Sequence, residues 1–336
     1  MKIYLSGATG FIGSHTLQQL VEDGFDVRIS VREKSNLKNI QKYPKKIEIF
    51  EGDLTNLDFA KRCVSGCDAV IHLAGWVQVA VSKRFREEVW NSNYKTTENM
   101  FTSCLENKTK KVVFLGSLFG LGKGEGRTAA DENVNYNLGD LASKITYAKA
   151  KRQCEILRDN FLSKGLPVVT VYPNFCFGEG DIYLSSSVMI YPFLKGKMKI
   201  LFDMGVNVQW VGDAARSLIL SLEKGKIGEK YLSGGENLET AEIFKILSQI
   251  TGVPLPRTKV DPKFLRILFR FPDFALEKIE DIFRKTFKMN MGMALISSKQ
   301  FWFYSDSKIR KELGYKSIPA RETLKRAAEW LMKNRK

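Results

Sequence analysis

Three glycines separated by two residues each, Gly7, Gly10 and Gly13, follow directly on the short apolar run Lys2–Ser6 and open the amphipathic stretch Phe11–Glu22. No other feature restricts the fold of this chain so strongly. In a strand–turn–helix unit the first such glycine permits a tight turn, the second lets the backbone approach a pyrophosphate, and the third lets the helix pack close to the strand. The free N–H groups at the helix N-terminus then face the phosphates.

The pattern downstream agrees with such a unit. Asp26–Arg32, Ile47–Phe50, Ala69–Leu73, Lys111–Gly116 and Pro167–Pro173 read as strands. Leu57–Val64, Lys83–Glu106 and Ser143–Leu162 read as helices between them. Short apolar runs separated by helices imply a parallel sheet covered on both faces. The fold class expected is therefore α/β, a doubly wound parallel sheet of Rossmann type, with ligand at the carboxyl ends of the strands.

After Pro173 the alternation breaks. Phe177–Asp181 is a Gly-rich turn, Ser185–Lys195 reads as helical, and Asn207–Val211 and Lys230–Leu232 read as late strands able to rejoin the sheet. From Thr240 onward the chain reads as mostly helical and basic. A dinucleotide-binding domain over residues 1–176, rejoined by about 205–233, is expected, with a smaller substrate-binding cap from 177–204 and 234–336.

Composition removes several chemistries. The 336 residues, 44% hydrophobic and 27% charged, fit neither a disordered nor a collagen-like chain. No run of 18 apolar residues suits a spanning helix, and the apolar start Lys2–Ser6 is too short for a signal-peptide core, so a cytoplasmic enzyme is expected. With only His15 and His72, a His-based metal site or a Ser-His-Asp triad has almost nothing to work with, and no metal is expected. The five cysteines form no CxxC pair, and Cys63 and Cys67, four apart, read as small buried residues rather than a redox pair.

Charge is uneven. The chain carries 53 Lys+Arg against 37 Asp+Glu, and residues 262–336 hold 18 Lys/Arg against 8 Asp/Glu, a surplus of 10. Without a nucleic-acid motif this does not read as a nucleic-acid footprint. A solvated Lys-rich face and attraction to an anionic lipid surface both remain open. Lys263–Ile296 interleaves Phe264, Leu265, Phe269, Phe271, Phe274, Phe283 and Phe287 with Lys263, Arg266, Arg270, Lys278, Arg284, Lys285 and Lys288. Such a stretch suits either a cap core lining a substrate pocket or a peripheral membrane contact.

Two further signals carry chemistry. At the end of the second strand stands Arg32, a planar fork suited to a ribose 2′-phosphate, with Lys34 and Ser35 beside it. This favours NADP, although Glu33 suits NAD if the register slips by one. Asp53-Leu54 stands where a carboxylate reaches an adenine amino group, or where it caps a helix. The other signal is Tyr147 with Lys151, four apart and so on one helix face, and Ser117 at the end of the preceding strand. An ammonium beside a phenol favours the phenolate, which prepares a tyrosine to give or take a proton.

Taken together, Gly7-x-x-Gly10-x-x-Gly13, Asp53-Leu54, His72-Leu73-Ala74-Gly75, Asn93, Ser117, Tyr147 and Lys151 resemble the ordered landmarks of the extended short-chain dehydrogenase/reductase family. The resemblance covers nearly the whole chain. Tyr172-Pro173-Asn174, Phe177-Gly-Glu-Gly-Asp181 and Gly234-Gly235-Glu236-Asn237 are similar to its dihydroflavonol-reductase-like branch. Ser305-Asp-Ser-Lys308 and Leu313-Gly-Tyr315 resemble that branch's bacterial hopanoid-associated epimerase-like proteins.

The resemblance implies that Tyr147 is the acid/base, that Lys151 orients the ribose, and that Ser117 positions the reacting oxygen. It places Thr9, Phe11, Ile12, Leu73 and Ala74 with the glycines around the cofactor, and Asn93 and Pro173-Asn174 near helix and nicotinamide. Three positions depart from the family pattern: Gly116 before Ser117, Gly75 in place of alanine, and Trp210 in place of histidine in Val208-Gln-Trp-Val-Gly-Asp213.

An NADP(H)-dependent carbonyl reductase or alcohol dehydrogenase is the leading expectation, on a small molecule that the phenylalanine-rich cap suggests is hydrophobic. A nucleotide-sugar epimerase with tightly bound NAD is the alternative, and a non-catalytic cofactor-binding regulator is a third. Leu118-Phe119 after Ser117 argues against 4,6-dehydration, where an Asp-Glu pair is usual, and Val206-Asn207 stands where sugar epimerases tend to show Arg-Asp. A homodimer through the helices near Lys83–Glu106 and Ser143–Leu162 is also implied.

Overall fold

The computed structural model describes residues 1–41, 47–79, 83–278, 280 and 291–335. Its centre is a seven-stranded sheet in the order β10-β6-β5-β4-β1-β2-β3. Here β1 is Lys2–Ser6, β2 Asp26–Val31, β3 Ile47–Glu51, β4 Ala69–His72, β5 Lys111–Leu115, β6 Val168–Pro173 and β10 Lys230–Ser233. Every neighbouring pair is parallel. The β-branched residues Val27, Ile29, Val70, Ile71, Val112, Val113, Val169 and Val171 are buried. A pleated strand covered on both faces accommodates such side chains.

The helices α1 (Phe11–Glu22) and α9 (Val211–Lys224) share one face of the sheet, where Leu17, Leu20, Leu218, Ile219 and Leu222 join one apolar cluster. On the other face α2 (Leu57–Val64), α4 (Thr96–Glu106) and α7 (Thr146–Ser163) contribute Phe59, Phe101 and Phe161. All five cysteines are buried free thiols; burial pushes Cys63 up to about 11, so the pair at 63 and 67 is packing.

Two helices expected to run unbroken are interrupted. The stretch 83–106 passes from a 3₁₀ turn through α3 (Arg86–Trp90) into a π-turn at Asn91–Lys95 before α4. The helix expected at Ser143–Leu162 is split at Ile145, whose backbone is extended, into α6 (Gly139–Lys144) and α7. Ser185–Lys195 holds only a 3₁₀ turn at Ser187–Met189 and α8 (Tyr191–Leu194).

The strand expected at Asn207–Val211 does not rejoin the large sheet. β9 (Gly205–Trp210) instead pairs with β7 (Phe175–Phe177), β11 (Glu236–Glu239) and Phe301–Trp302, while β8 (Ile200–Phe202) pairs with Thr258–Val260. The edge beside β6 is taken by β10, which leaves β9 to organise a second sheet. The helices Thr240–Thr251 and Ala320–Asn334 pack on this part of the molecule. A single apolar cluster joins it to the first sheet, running from Leu118, Tyr147 and Tyr172 to Phe193, Phe244, Trp302 and Leu324.

The phenylalanines of the basic stretch divide. Leu265 is buried and Phe269 is packed against that cluster, as a cap core requires, whereas Phe264, Phe271 and Phe274 are exposed. Phe283, Phe287, Arg284, Lys285 and Lys288 lie outside the described residues.

Candidate active site

The order of the sheet reverses at β1, which has β2 on one side and β4 on the other. At such a switch point the loops leaving adjacent strands part and open a crevice. The turn after β1 and the segment Leu73-Ala74-Gly75 after β4 line it. Gly7 has φ +72°, and a Cβ there would lie 2.9 Å from the Ala74 nitrogen. Gly13 is more constrained still, since a Cβ would lie 2.0 Å from the Gly7 carbonyl oxygen. At Gly10, which caps α1, the only neighbour within 4 Å is that same oxygen at 3.2 Å. The N–H groups that open α1 lack intrahelical acceptors. Thr9 and Ile12 are half-buried, and Phe11 is buried.

A buried polar chain holds the two loops together. Ser6 Oγ accepts from the backbone N–H groups of Leu73 and Ala74 at 3.0 and 3.1 Å and lies 2.7 Å from His72 Nδ1. With both N–H groups accepted, the hydroxyl proton goes to Nδ1. His72 Nε2 then carries the ring proton to Thr97 Oγ1 at 3.2 Å, and Thr97 donates to the Asn93 carbonyl at 2.6 Å. Burial, helped by the Lys151 ammonium, lowers His72 to about 3. The ring is thus neutral, which this directional chain needs.

Asn93 sits in the π-turn. Its Nδ2 donates to the carbonyls of Trp76 and Val89 at 3.0 and 2.8 Å, and its Oδ1 is buried with no partner among the described residues. A Cβ at Gly75 would fall 2.7 Å from that Oδ1 and 3.4 Å from Lys151 Nζ. The glycine in place of alanine therefore leaves the space into which Asn93 and Lys151 both project.

Ser117 follows β5 and caps the short helix α5 (Leu118–Leu121), its Oγ accepting from the Phe119 N–H at 3.3 Å. The other departure, Gly116, makes room for Tyr172, whose ring would lie 2.5 Å from a Cβ there. Tyr147 and Lys151 lie one turn apart on α7, both buried, with Lys151 Nζ 5.7 Å from the Tyr147 ring centre. Phe119 joins Ser117's helix to the tyrosine, meeting its ring edge-on at 5.6 Å. Trp302 stands 5.3 Å from Phe119, and its buried indole N–H has no partner among the described residues.

Behind this group Tyr172 donates a very short hydrogen bond to Glu155, one turn past Lys151. Burial raises the Glu155 carboxyl to about 7 against the opposing influence of Tyr172 and Arg158.

Arg32 is the first residue past β2 and is exposed, as is Glu33, and Ser35 Oγ accepts the Arg32 backbone N–H at 2.9 Å. Asp53 does not cap α2. Its Oδ1 accepts from the N–H and hydroxyl of Thr55, both at 2.8 Å, while Asn56 caps the helix through Phe59 N. Leu54 beside it is buried. Past Pro173, Asn174 is tied to β9 and β10: its N–H donates to Gln209 Oε1 at 2.8 Å and its Nδ2 to the Ser233 carbonyl at 2.9 Å. Trp210 donates to Glu179 at 3.0 Å under the Arg326 guanidinium.

Ser6, Thr97, Trp302 and Gln209 do not stand out in the sequence as site residues, and Phe119 stands out only as the residue that replaces an acidic one after Ser117. Ser6 carried a usable signal, a polar residue in an otherwise apolar parallel strand, which must find buried partners. Trp302 carried none.

The residues fit a dinucleotide: a turn that tolerates no Cβ at Gly7 or Gly13, an open Gly10, and buried Oδ1 atoms of Asn93, in the π-turn, and Asn174, just past β6, with no partner among the described residues. Comparison with known proteins agrees. The family model described as the NAD dependent epimerase/dehydratase family matches residues 3–234. A Synechocystis protein named "Putative dihydroflavonol 4-reductase" is 28% identical over 97% of this chain and 93% of its own length. Sterol demethylase protein B of Methylococcus capsulatus is 24% identical over 98% of both chains. The crystal structure of a nucleoside-diphosphate-sugar epimerase from Pseudomonas aeruginosa superposes with a TM-score of 0.78 at 25% identity, covering 100% of this chain and 98% of that one. On its fold, its crevice and the match over residues 3–234, the chain belongs to the NAD dependent epimerase/dehydratase family, within the extended short-chain dehydrogenases/reductases.

Proposed function

We propose that this protein is an NADP(H)-dependent oxidoreductase that reduces the carbonyl of a hydrophobic small molecule, or oxidises the matching secondary alcohol. The observation that carries the reading is the placement of Lys151 Nζ 5.7 Å from the Tyr147 ring centre, with Phe119, from the short helix that Ser117 caps, meeting that same ring edge-on and Trp302 beside Phe119. A reduced nicotinamide, when bound, supplies the hydride. Ser117 holds the substrate oxygen, Tyr147 gives it a proton as charge develops there, and Lys151 stabilises the phenolate left behind.

Gly7, Thr9, Gly10, Phe11, Ile12 and Gly13 would hold the pyrophosphate, with Leu73, Ala74 and Gly75 as the facing wall. Asp53 and Leu54 would meet the adenine, and Arg32 a 2′-phosphate. Tyr147, Lys151 and Asn93 would hold the nicotinamide ribose, with Pro173 and Asn174 beside the ring. The exposed fork of Arg32 directly past β2 supports NADP.

A hydrophobic substrate is supported by the run of aromatic contacts that leads from Tyr147 through Phe119 and Trp302 to Phe175, and by relatives named for flavonoid reduction and sterol demethylation. The reading extends to a homodimer through α4 and α7, where Ile156 is exposed, and to peripheral membrane contact through the basic late region.

A nucleotide-sugar epimerase that retains NAD is the second reading, favoured by the name of the Pseudomonas relative. Against it, Asn207 offers no diphosphate clamp: its side chain is consumed by Asn237 and the Gly235 N–H, both at 2.8 Å.

The test is to supply NADPH with a panel of hydrophobic ketones, and separately with UDP- and dTDP-sugars. NADPH consumption that depends on a ketone is the expected result. Interconversion of a nucleotide sugar without net change in the cofactor would overturn the reading.

A further inference from the structure

Residues Pro262–Arg270 form a 3₁₀ helix. With three residues per turn, side chains three apart stack in rows. One row, Pro262, Leu265 and Leu268, is buried; the next, Phe264, Ile267 and Arg270, faces solvent. Phe264 is 61% exposed, Ile267 54%, Phe271 41% and Phe274 58%. A single exposed apolar side chain is ordinary, but four large ones within eleven residues form a patch that needs an occupant.

The charges around the patch are sorted. Lys263, Arg266, Arg270 and Lys278 are exposed. Of the nearby carboxylates, Asp273 pairs with Arg86 at 2.8 Å and Lys144 at 3.2 Å, and Glu277 accepts from Lys83 N. Asp261 is exposed: it accepts from Lys263 N and Gln300 Nε2, and its carboxylate lies 3.8 Å from Lys263 Nζ, which leaves Arg266, Arg270 and Lys278 without an acidic neighbour in an ion pair among the described residues. A second copy of the chain would bring the same basic rim against itself across a two-fold axis, an arrangement that like charges oppose. An anionic bilayer surface complements both the charge and the apolar side chains.

The patch is also tied to the chain segment that leads into the candidate catalytic helix: Lys144 Nζ, at the end of α6, donates to the Phe271 carbonyl at 3.0 Å, and Thr146 then begins the helix that carries Tyr147. A cavity of about 320 Å³ beside this junction is lined by Trp90, Lys144, Thr146, Lys149 and Asp273 among others.

We propose that residues 262–278 are a membrane-docking face: Phe264, Ile267, Phe271 and Phe274 enter the headgroup–acyl boundary of an anionic bilayer, and Lys263, Arg266, Arg270 and Lys278 neutralise its headgroups. The face holds the catalytic helix at the surface from which a membrane-dissolved substrate is drawn, and in this it rests on the hydrophobic-substrate reading above.

The test uses the full chain with phosphatidylcholine vesicles, with and without phosphatidylglycerol. Flotation with the phosphatidylglycerol vesicles only, lost at high salt, is expected. The double variant Phe264→Ser/Phe274→Ser should lower binding by about tenfold or more, and Lys263→Glu/Arg270→Glu should abolish it. Unchanged melting and NADPH binding would show that both variants fold. Absence of flotation, or full binding by both variants, overturns the proposal. So does a vesicle-independent dimer that Phe264→Ser/Phe274→Ser dissociates, since the occupant is then a second copy. Turnover of a detergent-dispersed ketone separates the two readings. If the wild type docks through these residues but reduces no such ketone, the docking face stands and the substrate reading falls. If both variants reduce dispersed ketone normally but lose activity on vesicle-borne ketone, both stand.

Discussion

At the ends of β1 and β4, three buried polar side chains, Ser6, His72 and Thr97, pass hydrogen bonds along a chain that ends on the backbone carbonyl of Asn93. In residues 262–278 the reverse holds, and four large apolar side chains stand in solvent. Each arrangement is unfavourable alone: a buried polar group must be fully partnered, and exposed apolar area forgoes its burial. The first region accepts that cost to fix two loops around a crevice. The second keeps its apolar area available. The comparison suggests a division of labour in which the sheet half performs the reaction and the late region determines where and on what it acts.

The largest expected effect is on the reaction alone. Tyr147→Phe should lower turnover by roughly 10²–10⁴-fold while NADPH binding, followed by nucleotide fluorescence, is retained. Undiminished turnover would remove the tyrosine from the chemistry and dissolve the division just drawn.

Next comes the rigidity of the crevice. Gly13→Ala puts a methyl group 2.0 Å from the Gly7 carbonyl, so the turn must move. The expected loss is ~3 kcal/mol of stability in a denaturant titration, together with nucleotide binding. Phe264→Ser, in the other region, should change stability by no more than about 0.5 kcal/mol.

A smaller effect is read through pH. The native Glu155 carboxyl titrates near 7, against an ordinary value of 4.5 when unfolded. Between those values the native state keeps a proton that the unfolded chain has lost. Glu155 therefore contributes stability below about 4.5 that is lost as pH rises through about 7. Glu155→Gln should flatten that fall by roughly 1–3 kcal/mol across the window. Asp213, raised to about 6 by burial, adds a slope of the same sign, whereas His72, lowered to about 3, adds one of opposite sign up to its ordinary value of 6.5, so the Glu155 contribution is read as the difference between wild type and variant. A slope unchanged in the variant would show that Glu155 does not carry it. The smallest effect concerns selection: Arg32→Ser should reduce the preference for NADPH over NADH by about tenfold, read as a ratio of binding constants, without altering melting.

What was legible in the sequence was local. Gly7, Gly10 and Gly13 lie within one turn, Tyr147 and Lys151 within one helical repeat, and Arg32 directly past its strand, so spacing alone carried them. The polar chain was not legible, because Ser6 meets His72 across 66 residues and His72 meets Thr97 across 25. Trp302 reaches Phe119 only through the second sheet. The strand at β9 was legible as a strand but not as a member of the second sheet, since its apolar pattern fits either. In residues 262–270 the mixture of Phe and Lys/Arg left core and surface undecided. The three-residue period of the 3₁₀ helix separates the buried Leu265 and Leu268 from the exposed Phe264 and Ile267.

The most direct measurement is to denature freshly purified protein, identify any nucleotide released, and titrate the nucleotide-free protein with NADPH and NADH. Exchangeable binding with NADPH preferred is the expected result, as for a reductase that takes fresh cofactor at each turnover. Stoichiometric NAD carried through purification would contradict it, favour the epimerase, and leave Arg32 without a role in cofactor selection.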